Sequence, residues 1–199
     1  MTIGLIDTGC ANLASVRFAL ERAQLDYRVI DTPAGMEGCQ RFILPGVGAA
    51  GPAMQRLRAA GWDRALAADA RPLLGICLGM QMLFERSAEG HVDCLGLIPG
   101  AIEKLPPPVE GVWPHMGWNA LEALDQDEPL LAGIEAGEHV YFVHGFFAPP
   151  GPATMAICDY GRPVSALVRH GHVAGCQFHP ERSGAAGARI LANFAMSPR

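Results

Sequence analysis

The sequence predicts a single α/β domain over residues 1–199, built on a mostly parallel central sheet with helices on both faces and shorter strands added in the C-terminal half. Three observations lead there. Short apolar runs alternate with segments of helical periodicity through the first half of the chain. The runs end in glycine-containing turns, as strands do where a parallel sheet hands over to a crossover helix. Hydrophobic residues make up 50% of the 199 and charged residues 18%, a composition that supports a buried core and excludes a disordered chain.

Ile3–Ile6 is an apolar run ending in Asp7-Thr8-Gly9, so it reads as a buried strand that stops at a turn. Asn12 or Ser15 can cap the element that follows, in which Val16, Ala19, Leu20 and Ala23 recur at helical spacing. Tyr27–Ile30 is a second strand. Arg41–Leu44 is a third, stopped by Pro45-Gly46-Val47-Gly48. Met54, Leu57 and Arg58 indicate a helix that ends before Gly61, and Pro72 opens a fourth strand, Leu73–Ile76. Met80 to Phe84 can be helical. In the second half, 100–105, 139–143, 154–158, 164–169 and 173–178 read as shorter strands, with Arg169-His170-Gly171-His172 as a hairpin connection. A last helix starts at Gly184 or Ala185 and runs to Ala195. Pro106-Pro107-Pro108 is a stiff surface loop.

Composition narrows the function classes. Fifteen basic and 20 acidic residues give a net charge of −5 with no basic stripe, so no nucleic-acid partner is expected. The most apolar stretch, Leu73 to Phe84, has 12 residues and contains Gln81. That is too short to span a bilayer, so no membrane partner is expected. The opening MTIGLID lacks the basic start and long apolar core of a signal peptide, which points to a cytoplasmic protein. The cysteines, Cys10, Cys39, Cys77, Cys94, Cys158 and Cys176, show no CxxC pair and no ligand spacing. Apart from Cys77 they read as free packing thiols, and neither a metal nor a cofactor is expected.

Three motifs carry chemistry. Gly75-Ile76-Cys77-Leu78-Gly79 follows an apolar strand and precedes a segment that can be helical. That is the context of a nucleophile elbow, with cysteine where hydrolases often carry serine. The glycines two residues either side would spare the neighbouring strand and helix a collision, and a helix N-terminus favours a thiolate. The pentapeptide alone fits equally well a buried core cysteine between two packing glycines. His179-Pro180-Glu181 places an imidazole and a carboxylate two residues apart in an extended segment, on one side of the chain. Paired with the cysteine, it supplies a base and its orienting group. Pro45-Gly46-Val47-Gly48 ends a strand where parallel sheets bind ligands, and its peptides can present an N–H to an oxyanion. Alone it is an ordinary strand-to-helix turn.

Together, GICLGMQ, QFHPERS and LPGVG resemble the class I, triad-type glutamine amidotransferases, in motif and in order along the chain. DTGCANL at 7–13, PHMGWN at 114–119 and YFVH at 141–144 resemble more narrowly the glutaminase subunits of imidazole glycerol phosphate synthase. The resemblance implies a flavodoxin-like sheet and hydrolysis of L-glutamine to glutamate and ammonia. It implies Cys77 as nucleophile, His179 as base and acid, and Glu181 as orienter. Gly46, Val47, Gly48 and the Leu78 N–H would form the oxyanion hole, and Gln81 and Gly145 would meet glutamine. Asn12, Trp118, Tyr141 and Arg182 would face a separate (β/α)8 cyclase subunit in a heterodimer, which makes imidazole glycerol phosphate and AICAR in histidine biosynthesis. Two positions depart from the pattern. Relatives commonly carry Ser or Thr where this chain has Gly145, and many carry Lys where it has Arg182.

Competing readings share part of this signal. Glutaminases of anthranilate or GMP synthesis would share the triad but not PHMGWN. A cysteine hydrolase of related fold would share the elbow but not the late His-x-Glu. A binding module that has lost catalysis would lack part of the triad, and all three members are present here.

Overall fold

The computed structural model describes residues 1–9, 11–108, 112–122 and 124–196. Cys10, read from sequence as a packing thiol, lies outside the described residues. The chain runs β1 (Ile3–Ile6), α1 (Leu13–Arg22), β2 (Tyr27–Ile30), β3 (Arg41–Gly46), α2 (Ala50–Ala59), α3 (Trp62–Ala67), β4 (Leu73–Cys77) and α4 (Leu78–Gln81). It continues through β5 (Phe84–Ser87), β6 (Val92–Asp93), β7 (Ile98–Lys104), β8 (His115–Ala120), β9 (His139–His144) and β10 (Phe146–Phe147). It closes with β11 (Thr154–Asp159), β12 (Pro163–His170), β13 (Val173–Cys176) and α5 (Gly184–Met196).

The central sheet has seven strands in the order β11-β12-β13-β4-β3-β1-β2. The five strands from β13 to β2 are mutually parallel. β11 and β12 add an antiparallel edge. Side-chain alternation on these buried strands supplies two cores, one on each face. Ile3, Leu5, Ile43, Leu74 and Ile76 pack with α1 and α5. Ile6, Phe42, Leu44 and Leu73 pack with α2 and α3. The strand order reverses between β1 and β3, so crossovers of one hand place their helices on opposite faces. Asn12 is the residue that caps α1, its Oδ1 accepting from Ser15 N at 3.4 Å. The turn at Gly171 (φ +58) joins β12 to β13 as a hairpin.

Several elements differ from expectation. β3 runs two residues further, and Pro45 and Gly46 still pair with Ile76 and Cys77. The expected helix from Met80 to Phe84 is instead one turn, α4, and Phe84 opens β5. β5, β6, β7 and β10 form a second, four-stranded sheet. β8 and β9 form a separate two-stranded ribbon, so PHMGWN and YFVH, far apart in sequence, lie side by side. Its inner face joins the α1–α5 core through Val140 and Phe142. The outward side chains Met116 and Trp118 are exposed, Trp118 at 56%.

Candidate active site

The site assembles at the carboxyl ends of β3 and β4. Cys77 ends β4 with φ +54 and ψ −111. A residue with a Cβ is rarely found there, and holding it costs about 1–3 kcal/mol. The surroundings impose it. A Cβ on Gly75 would sit 2.6 Å from Met80 N, and one on Gly79 would sit 1.8 Å from Leu44 O. The elbow can therefore pack against α4 on one side and β3 on the other only with glycine at both places. A Cβ on Gly46 would likewise meet Gly79 N at 2.8 Å. Gly48 follows with φ +93.

The sharp turn aims Cys77 into a cleft of ≈ 180 Å³, lined in part by Val47, Gly48, Leu78, Gln81, Glu89, Gly145 and His179. The thiol lies 3.7 Å from Val143 O and 3.9 Å from Gln177 Nε2. His179 follows β13, and its Nδ1 is 2.8 Å from Glu181 Oε1. The other ring nitrogen, Nε2, is buried with no hydrogen-bond partner. Burial works to lower the pKa of this imidazole. The neighbouring Cys77 sulfur and the hydrogen-bonded Glu181 carboxylate outweigh it and raise the pKa to about 10. These neighbours favour the charged form of the ring. A sulfur nucleophile, a proton carrier beside it and a carboxylate that fixes the carrier's tautomer can perform acyl transfer.

The chain places the other expected site residues as follows. Val47 is 42% exposed at the rim of the cleft. Gln81 is buried; its Nε2 donates to Phe146 O at 2.8 Å and to Gln177 Oε1 at 2.9 Å. Only its oxygen is left to meet a ligand, as an acceptor. Gly145 lines the cleft, and a Cβ there would lie 3.1 Å from Trp113 Cζ2. The indole, anchored by Nε1 donating to Leu105 O at 2.7 Å, occupies the space a side chain at 145 would need. Trp118, Tyr141 and Arg182 form one exposed-side cluster. The Trp118 and Tyr141 rings meet edge to face at 6.0 Å, and the Arg182 guanidinium lies 4.5 Å over Tyr141. Asn12 is exposed at the start of α1.

The family model for "Glutamine amidotransferase class-I" matches residues 5–197. The chain belongs to the class-I glutamine amidotransferases. It is 53% identical over 192 residues, 96% of each chain, to "Imidazole glycerol phosphate synthase subunit HisH" of Xanthomonas axonopodis pv. citri. It is 50% identical, with the same coverage, to the protein of that name from Xylella fastidiosa strain Temecula1. Solved structures share the fold at low identity. One described as a glutamine amidotransferase superposes with a TM-score of 0.73 at 20% identity, over 96% of both chains. PurLQS from Thermotoga maritima gives 0.68 at 18%, over 97% of this chain and 96% of that one.

Sequence reasoning did not single out two groups in this amidotransferase site. Among the described residues Glu89 is the only carboxylate lining the cleft, and its Oε2 accepts from Ala50 N at 2.8 Å, which caps α2 from a distant loop. No local motif marks it, because the contact spans 39 residues. Gln177 stands inside the QFHPERS segment, two residues before His179, where nothing local marks its contact to Cys77. The histidines of PHMGWN and YFVH, His115 and His144, are buried. His115 Nδ1 lies 3.0 Å from His144 Nε2. His115 is stacked between Phe142 and Tyr160. Burial pushes His115 down to about 4. Burial, and then the neighbouring ring, push His144 down to about 3. Both are neutral in ordinary buffers. Among the described residues no group of three or more His, Cys, Asp or Glu is placed to hold a metal ion, and no helix is long and apolar enough to cross a membrane.

Proposed function

We propose that this chain is a cytoplasmic glutaminase that hydrolyses the side-chain amide of L-glutamine and passes the ammonia to a separate (β/α)8 cyclase subunit of imidazole glycerol phosphate synthase. The observation that carries this reading is Cys77 at φ +54 in a cleft shared with a Glu181-bound His179. The 50–53% identity to HisH subunits narrows it from the family at large.

Cys77 Sγ attacks the carboxamide carbon. The tetrahedral oxyanion is met by the Leu78 N–H, which as the first residue of α4 has no intrahelical partner, and by an N–H of the Gly46–Gly48 turn. His179, protonated with its Nε2 free, gives a proton to the departing ammonia. The glutamyl thioester is then hydrolysed by water that His179 deprotonates. Glu181 holds the ring in place through Nδ1. Within the cleft, the Glu89 carboxylate suits the substrate's α-ammonium, and the Gln81 oxygen accepts from the substrate.

Ammonia released to solvent would be protonated, so the chemistry calls for a partner that receives it and a gate that waits for the partner. The exposed cluster of Trp118, Tyr141 and Arg182 suits the partner, as does Asn12, exposed at the start of α1. Tyr141 is also tied to the base: its carbonyl accepts from His179 N at 2.9 Å, and its N–H donates to Ser183 Oγ at 3.0 Å. The test is glutamate release by the chain alone, with the cyclase, and with the cyclase plus its nucleotide ligand. Rising rates are expected. No release in any of the three would end the proposal, and equal release in all three would end the gate.

A further inference from the structure

We infer that Gln177 is a positioning residue for the nucleophile, a buried amide whose N–H2 is turned toward Cys77 Sγ by the hydrogen bonds behind it. The inference rests on the proposed role of Cys77. Gln177 is fully buried. A buried amide without partners costs several kcal/mol, so its oxygen and nitrogen must both be satisfied. The two ends of an amide look alike, and the direction of this one follows from an obligatory acceptor.

Phe146 O is a backbone carbonyl and can only accept. The Gln81 atom 2.8 Å from it must therefore be the nitrogen. That nitrogen has a second hydrogen, and the Gln177 atom 2.9 Å away must be an oxygen to receive it. The opposite end of the Gln177 amide is then the nitrogen, and it lies 3.9 Å from Cys77 Sγ. The carbonyl of Phe146 also lies 2.9 Å from His144 Nδ1, so its place is fixed from a second side. Reversing Gln177 would set nitrogen against nitrogen, two donors with no acceptor, at one end and lose the donor at the other.

The neutral thiol lies 3.7 Å from Val143 O, to which it can donate. When the sulfur is a thiolate, that carbonyl repels it, and the Gln177 N–H2 becomes its attractive neighbour. The bond is long at rest and is expected to shorten then, as catalytic hydrogen bonds commonly do. Gln177 thus holds the sulfur in the cleft and favours its charged form. Losing one hydrogen bond to a charged group predicts about a tenfold loss, the low end for such bonds, because this one is long.

The experiment uses the full chain with its cyclase subunit. Glutamate release by the wild type comes first; if it is absent, the proposed function fails whatever Gln177 does. Gln177→Met removes both partners, whereas Gln177→Glu keeps an acceptor for Gln81 and removes the donor to sulfur. Both are expected to lower kcat about tenfold or more with little change in KM, Gln177→Glu the more strongly. Alkylation of Cys77 by iodoacetamide, followed by peptide mass, should slow by a similar factor at neutral pH. The gap should close in alkali, where the thiol ionises unaided. A packing role alone would not give that pH dependence. Should both variants fail to fold, 15N-glutamine-labelled wild type decides: S-methylation of Cys77 should shift the Gln177 side-chain amide signal. Active, folded variants with wild-type kcat and alkylation, or an unshifted amide signal, would overturn the inference.

Discussion

Replacing Gly79 by alanine tests the elbow with the smallest perturbation available, one methyl group. That methyl would lie 1.8 Å from Leu44 O, against about 3.0 Å for the nearest real contacts, so strand and helix must part by 3.0 − 1.8 = 1.2 Å. The obstructing atom is backbone in the middle of β3, paired on one side with β1 and on the other with β4. It cannot swing aside as a side chain would. Overpacking a well-packed interior costs about 1–3 kcal/mol, and an overlap this deep against backbone belongs at or above the top of that range. At about 2–4 °C per kcal/mol for a chain of this size, thermal unfolding should fall by roughly 6–12 °C or more. Glutamate release should fall as well, because Cys77 and the Leu78 N–H move with Gly79. Gly51→Ala is the control. It lies in the first turn of α2 with nothing within 4 Å of the added methyl, and should be neutral or raise stability by about 0.5–1 kcal/mol. A Gly79→Ala protein with wild-type melting and activity would refute the packing argument for the elbow.

Other perturbations have equally definite outcomes. Folded His179 keeps its proton to about pH 10, whereas an unfolded imidazole releases it near 6.5. Its ion pair therefore stabilises fully below pH 6.5 and loses that effect as pH rises through 10. In urea titrations the gap between wild type and Glu181→Gln should be wide at pH 6 and narrow at pH 10; a constant gap would contradict the pairing. Val47→Pro removes one backbone N–H at the cleft and should lower partner-stimulated glutamate release about 10²- to 10³-fold; full stimulation would place the oxyanion donor elsewhere. Trp118→Ala removes an exposed aromatic from the cluster with Tyr141 and Arg182. It should weaken association with the cyclase about 30-fold or more by calorimetry, as a central interface aromatic does; unchanged affinity would move the interface off this face.

The parallel half of the sheet was legible because β1, β3 and β4 are short apolar runs that stop at glycine-containing turns, and their burial on both faces gives continuous apolar strands. The elbow was legible for the same reason a Cβ fails there: its glycines are demanded by contacts that a pentapeptide already implies. β5 was not, because Met80, Leu83 and Phe84 fit a helical stripe as well as a strand, and only the end residues of Phe84–Ser87 are buried. β8 was hidden by its exposed Met116 and Trp118, which blur the alternation a half-buried strand should show. Glu89 and Gln177 share another cause. Each meets the site through a contact to a residue distant in sequence, and nothing in either one's immediate neighbours records the partner.

The central claim is that Cys77 is the nucleophile of a glutaminase whose ammonia serves a second chain. Cys77→Ser, assembled with the cyclase, tests it most directly, since a serine hydroxyl ionises far less readily than a thiol. Glutamate release from glutamine should vanish, while cyclase turnover supplied with ammonium salt should persist. Wild-type glutamate release by Cys77→Ser would contradict the account.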